Sequence, residues 1–180
     1  MRRLTRVSLV MAGSAALIGS MALPASAAPT DPTNLSVEVN GGDLAIDGGT
    51  APAGATLDPG QMANFTLTDV TVTDTRAGVE GWTASVFMSP FESVSTGTLA
   101  PASALYTPEL AALTGTSTVA EAAAGVSVLG ATDVGTAVAV QTATGVTGNN
   151  TAIWGAVLAI EVPAQALADT YTATLTHSVL

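Results

Sequence analysis

The 180-residue sequence has no cysteine, no lysine, one histidine and seven aromatic residues. Without cysteine there are no disulfides, and an exported domain of this size has no need of them. A covalent lipoprotein anchor also needs a cysteine at the cleavage point, and there is none. One histidine and no thiolate argue against a zinc site. Seven aromatics are few for a sugar-gripping cleft. Cations are the scarcest resource: three of the four arginines, Arg2, Arg3 and Arg6, lie in the first six residues, and the fourth is Arg76.

Those first arginines form a basic n-region. Val7 to Leu23 is uncharged and mostly apolar, and Ala25-Ser26-Ala27 is a small-residue exit. This is the pattern of a secretory signal peptide over residues 1–27. Its apolar run is shorter than the roughly 20 residues that a spanning helix needs. Cleavage leaves 153 residues from Ala28, with one arginine against fourteen acids, a net charge of −13. Such a chain cannot neutralise phosphates, which excludes nucleic acid as a partner. The same deficit argues against an anionic membrane surface, and no membrane insertion is expected after cleavage. Lysine-free, Ala/Thr/Gly-rich usage fits GC-rich coding. No sortase-type L-P-x-T-G occurs, so retention at a cell surface would be non-covalent.

The organising stretch runs from Asp69 to Met88. Val70 and Val72 alternate with threonines, as in a half-buried strand, and Trp82, Ala84, Val86 and Met88 repeat the pattern. Asp74 to Gly81 between them reads as a hairpin loop. It carries Arg76 between Asp74 and Glu80, which predicts a structural ion pair or fork holding the loop beside Trp82.

After an extended lead-in over 28–34, residues 35–180 read as a single domain. Leu35, Val37 and Val39 alternate as a first strand. Asn40 to Asp43 is a turn, and Leu44 and Ile46 form a short return strand. Phe65 and Leu67 fall on odd positions and Val70 and Val72 on even ones, so a β-bulge or bend is expected at Thr68-Asp69. Glu109 to Ala124 admits one helical turn at most, because Thr114, Gly115, Thr116 and Thr118 interrupt its alanines. Val126–Leu129 and Val134–Val140 read as strands, and Gly145–Asn150 as a turn. Ile153–Val162 is apolar on both faces, which predicts a central strand buried on both sides. Tyr171–Leu180 is the last strand. Pro101-Ala-Ser-Ala-Leu and Pro163-Ala-Gln-Ala-Leu are near copies, each feeding a Tyr-Thr. Short strands, frequent turns and little helix predict an all-β, antiparallel two-sheet β-sandwich of immunoglobulin-like architecture.

Chemistry-bearing residues are sparse. His177 would have to serve any Ser-His-Asp triad, yet no G-x-S-x-G elbow supplies the serine. Carboxylates are too numerous for counting to exclude a glycosidase dyad. Trp82 and Trp154 offer either a stacking platform or core residues, and core is the commoner fate in a sandwich. Asp47 and Asp58 admit calcium in principle, but neither lies in an EF-hand spacing.

The run V-T-V-T-D-T-R, then Gly81-Trp82-Thr83-Ala84-Ser85 and Phe91, resembles the WxL family of Gram-positive cell-surface proteins. Trp154, the V-P-A at Val162 and the closing Tyr171-Thr-Ala-Thr-Leu-Thr extend the resemblance along most of the mature chain. The family implies an exported, all-β domain held non-covalently on peptidoglycan, often within multi-protein surface complexes. The first Trp-x-Leu motif is here Trp82-Thr83-Ala84, and His177-Ser178-Val179 stands where the second belongs. On this basis the expected function is non-enzymatic: a secreted, cell-wall-associated protein binding peptidoglycan or a partner surface protein. Trp82, Thr83, Arg76, Trp154 and His177 are its candidate binding residues, and no cofactor is expected. The alternatives are a structural subunit joined by edge-strand pairing and a small secreted hydrolase.

Overall fold

The computed structural model describes residues 33–50, 52–121 and 125–180. The expected signal segment and residues 28–32 of the lead-in lie outside the described residues. The chain divides into Met1–Val37 and Glu38–Leu180, and the second unit carries the fold. Among the described residues there are ten strands and no helix.

The strands are β1 (Leu44–Asp47), β2 (Met62–Asp74), β3 (Trp82–Met88), β4 (Phe91–Ser93) and β5 (Gly97–Leu99). They continue as β6 (Ser103–Pro108), β7 (Ala112–Glu121), β8 (Val126–Ser127), β9 (Val138–Glu161) and β10 (Leu175–Val179). Every pairing is antiparallel, and only the β4–β5 hairpin stands apart from one eight-stranded sheet.

β9 is the spine. Met62–Asp74 pairs with its residues 150–161, and Trp82–Val86 then pairs with residues 138–143 along the same edge. On its other edge β6 pairs with residues 156–161 and β7 with residues 141–153. Three long ribbons therefore lie side by side, with β1 flanking β2 and β10 flanking β3.

A straight strand of 24 residues would be about 80 Å long, roughly twice the width of a domain of this size, so the ribbon must bend. It bends where all three ribbons are irregular. Gly145 and Gly148 in β9 and Gly115 in β7 take positive φ, β7 shifts register at Gly115–Thr118, and residues 75–81 interrupt β2 and β3. The edge strands β1 and β10 are brought close without pairing, so the sheet is nearly closed, like a barrel with an open seam between them.

Several expectations change. β2 and β3 do not form a hairpin. Both pair antiparallel with β9 and so run in the same direction, because β9 is long enough to serve them in turn. Gly145–Asn150 is not a turn but the bend within β9. β9 is central in pairing yet not buried on both faces: Trp154, Leu158 and Ile160 face the core, while Ile153 is 40% exposed. Of the stretch after Glu109, Ala112–Glu121 forms β7 against the β9 edge, within the limit of one helical turn at most, and residues 122–124 lie outside the described residues. Val134 lies before the strand that begins at Val138. The last strand is confined to Leu175–Val179, with Thr172 held by a bridge to Glu92. Eight strands share one sheet, so the pairing does not lay out two separate stacked sheets.

Leu35, Val37 and Val39 form no strand and are 91%, 89% and 79% exposed. The expected turn before β1 is absent too. Gly42 N–H donates to the Thr75 carbonyl at 2.6 Å and Thr75 N–H to the Asp43 carbonyl at 2.9 Å, so the chain enters β1 straight along the end of β2.

The bulge was legible. Ala63 and Leu67 are buried before it, and Val70 and Val72 after it. The register shifts between Leu67 and Val70, and Asp69 takes a φ of 61° to do so. The core gathers these with Trp82, Ala84 and Val86 from β3, Tyr106 from β6, and Trp154, Leu158 and Ile160 from β9.

Candidate functional site

Two side-chain networks gather the candidate residues. The first fills the gap between β2 and β3. Asp74 ends β2 with its side chain buried, which an unpaired carboxylate would not tolerate. Arg76 answers it with a fork: Nε donates to Oδ1 at 2.9 Å and Nη2 to Oδ2 at 3.0 Å, while the Arg76 main-chain N–H also reaches Oδ1 at 3.1 Å. The same Nη2 donates to the carbonyls of Glu80 and Gly81 at 3.1 Å each, closing the loop onto its own stem. The Arg76 hydrogen bonds hold the Asp74 carboxyl below its ordinary value against the desolvation of burial. Asp74 in turn raises the guanidinium.

Glu80 contributes less than its place in the sequence promised. Its carboxylate is 3.8 Å from Arg76 Nη1 and 85% exposed, so its main-chain carbonyl is the firmer partner. The ion pair is in substance Asp74–Arg76.

Asn150 completes this network and was missed, because Gly145–Asn150 read as a turn. Its Nδ2 donates to Asp74 Oδ2 at 3.1 Å, and its Oδ1 accepts the Trp82 indole N–H at 3.1 Å. The loop is also clamped to the bend of β9 by Gly148 N–H donating to the Gly78 carbonyl at 2.8 Å. Gly81 lies so close to the Ala143 carbonyl that a side chain there would collide with main chain.

Trp82 and Trp154 are both 2% exposed, so neither indole offers a face for stacking a ligand at the surface. Thr83 stands apart from both networks. Its main chain exchanges hydrogen bonds with Leu180, N–H to carbonyl at 2.8 Å and 3.1 Å.

The second network runs through the interior. Trp154 Nε1 donates to the Tyr106 hydroxyl at 3.4 Å, and that hydroxyl lies 3.0 Å from His177 Nε2. The indole can only donate, so it uses a lone pair of the tyrosine oxygen. Across the Tyr106–His177 contact the direction follows the histidine tautomer: the hydroxyl gives its hydrogen to a bare Nε2 or accepts Nε2–H on its second lone pair. The rings meet edge to face, with centroids 5.7 Å apart. Burial pushes the Tyr106 hydroxyl up to about 12 and His177 down to about 4. At neutral pH His177 is uncharged.

Beside His177 the open seam becomes a pocket of about 550 Å³. Phe65, Leu67, Met88, Phe91 and Leu158 line its floor, and β10 and the Gly48–Gly49 turn its rim. A Cβ on Gly48 would sit 3.2 Å from His177 Nδ1, so glycine keeps that nitrogen clear.

The acids proposed for calcium act as turn formers. Asp47 Oδ1 accepts Gly49 N–H at 3.0 Å, and Asp58 main chain bonds with Gln61. Among the described residues no three His, Asp or Glu side chains converge as a metal site. Asp169 pins the β4–β5 hairpin instead, accepting from Ser93 and from Thr96 Oγ1. No helix among the described residues is long and apolar enough to cross a membrane.

No family model, curated protein or solved structure matches the chain.

Proposed function

We propose that this is an exported, non-enzymatic surface protein, held on the cell wall by non-covalent contact with peptidoglycan or with a partner surface protein. The observation that carries the reading is the first network. The residues behind the WxL resemblance, Asp74, Arg76 and Trp82, are knit with Asn150 into one hydrogen-bonded network rather than scattered. The signal-like first 27 residues support export from the sequence. With both indoles in the core, the ligand contact falls to the rim of the seam and its exposed loops.

We also read the domain as a sandwich of immunoglobulin-like type. Tyr106 and His177 lie on β6 and β10, which are not neighbours in the sheet, and their contact supports two halves of the folded sheet facing each other.

Fractionation of the producing cells tests the function. The protein is expected with the wall, released by concentrated urea without wall-digesting enzymes, and pelleting saturably with purified sacculi if peptidoglycan is the ligand. Recovery only from the cytoplasm or the culture medium would overturn it.

A second reading, a subunit of a surface assembly, has its own observation. Four strands of the sheet, β1, β10, β7 and β8, pair on one side only, and β1 and β10 face each other unpaired.

A further inference from the structure

We propose that the pocket beside His177 binds a small, uncharged, mostly apolar alcohol, with the ligand hydroxyl on His177 Nδ1 and its hydrocarbon part on the apolar floor. The site is independent of wall attachment and of assembly.

Both walls of the pocket are tied down. On one side Gly49 N–H donates to Asp47 Oδ1 at 3.0 Å and Thr50 N–H to the Thr68 carbonyl at 3.0 Å, which holds the Gly48–Gly49 turn beside β2. On the other, Ser89 N–H donates to the Thr174 carbonyl at 2.9 Å and Thr174 N–H to Ser89 Oγ at 2.8 Å. Glu92 and Thr172 also exchange main-chain bonds at 2.9 Å each, so the chain leading into β10 is fixed to β4 and to the residues after β3. A cavity held in this way is formed before any ligand arrives. Its volume of about 550 Å³ lies within the range of small-molecule sites.

The lining narrows the occupant. Phe65, Leu67, Met88, Phe91 and Leu158 offer only hydrocarbon and a thioether, a surface that favours exchanging water for apolar groups. Among the described residues no charged side chain lines the pocket. Arg76, the one cation beyond the first six residues, is committed to Asp74 in the other network. A carboxylate or phosphate entering here would lose water and gain no countercharge, and a cation would find no carboxylate. The occupant is therefore uncharged.

His177 supplies the polar contact. Its ring is held from behind: Nε2 lies 3.0 Å from the Tyr106 hydroxyl, which in turn takes the Trp154 indole N–H. The other nitrogen, Nδ1, lies at the Gly48 rim. Among the described residues it has no hydrogen-bond partner, and it is not sealed from solvent. When Nε2 is bare, Nδ1 carries the hydrogen and donates; when Nε2 carries it, Nδ1 accepts. A hydroxyl donates and accepts, so it satisfies either tautomer, whereas an ether or ketone satisfies one only.

The test compares 1-octanol, octanoate and octylamine, which share a chain and differ in head group, on the purified, tag-free protein at neutral pH. Calorimetric titration should show saturable one-to-one binding of octanol, with the charged analogues weaker by roughly tenfold or more. His177 is the only histidine, so its ring nitrogens are assigned in a nitrogen NMR spectrum without a variant. Octanol should move the Nδ1 resonance more than that of Nε2.

Gly48→Ala is the matching variant. Gly48 does not take a positive φ, so alanine suits its backbone, and the new methyl would sit 3.2 Å from Nδ1, in the way of the hydroxyl. It should weaken octanol by roughly three- to tenfold, the worth of one hydrogen bond, with an unchanged circular dichroism spectrum. No saturable octanol binding up to its solubility limit would overturn the site. Octanoate bound as tightly as octanol would overturn the uncharged ligand class. Octanol binding that leaves Nδ1 unmoved, or that a folded Gly48→Ala chain retains in full, would overturn the contact with His177.

Discussion

The Trp82 indole N–H donates to the side-chain carbonyl of Asn150, 68 positions further along the chain, at 3.1 Å. The same amide reaches back to Asp74 with its nitrogen, so one asparagine joins β2, β3 and β9 where the ribbon bends. Buried polar networks of this kind are costly when broken, because each released group is left without water or partner.

Asp74→Ala should therefore destabilise the domain by about 3 kcal/mol, leaving Arg76 and Asn150 unmatched. Urea denaturation measures it. A change below about 1 kcal/mol would show that the fork is a surface pair of ordinary weight.

Glu80→Ala is the contrasting case. Its carboxylate is exposed and distant from Arg76 Nη1, and the main-chain carbonyl that Arg76 uses is retained. Stability should stay within about 0.5 kcal/mol of the parent, checked in the same titration.

Gly81→Ala should cost about 1–3 kcal/mol, because the new methyl meets the Ala143 main-chain carbonyl and not a movable side chain. Melting of the variant beside its parent reads this directly. An unchanged melting temperature would mean that β3 and β9 can part there freely.

Acid should act in two windows. The folded state holds His177 at about 4, whereas an unfolded histidine titrates near 6.5, so below pH 6.5 the unfolded chain takes up the proton first. Stability then falls as pH drops from about 6.5 to about 4, by up to about 3 kcal/mol. Asp74 is depressed when folded, so its contribution is present above the unfolded carboxylate value near 3.9 and is lost as pH falls below it. His177→Gln should flatten the first window and leave the second. A parent whose stability is level between pH 7 and 4 would contradict the neutral, buried histidine.

Local pattern made much of this legible. The phase slip from Leu67 to Val70 announced the bulge, and Asp74, Arg76 and Glu80 announced the loop that Arg76 closes. What escaped were the features set by non-local pairing. Nothing near Asp74–Gly81 distinguishes a hairpin from a loop between two strands on one edge of β9, because the deciding partner begins at Val138. Asn150 was hidden by the same cause: Gly145 to Asn150 has turn composition, and only the flanking ribbons keep it in a strand. Leu35–Val39 has strand chemistry and no strand, since pattern records what a segment can bury and not whether a neighbour is there.

Making β9 the shared spine also sets an order of events. The ribbons at 62–88 and 103–121 are synthesised first, yet their common partner arrives only with residues 138–161. Until then the chain can close little more than β1 on β2, β6 on β8 and the β4–β5 hairpin, while β3 waits for both β9 and β10. Pairings so distant in sequence make for slow folding. A chain whose last quarter holds the keystone stays loose through most of its synthesis, the state in which a polypeptide can be threaded through a narrow passage before it sets.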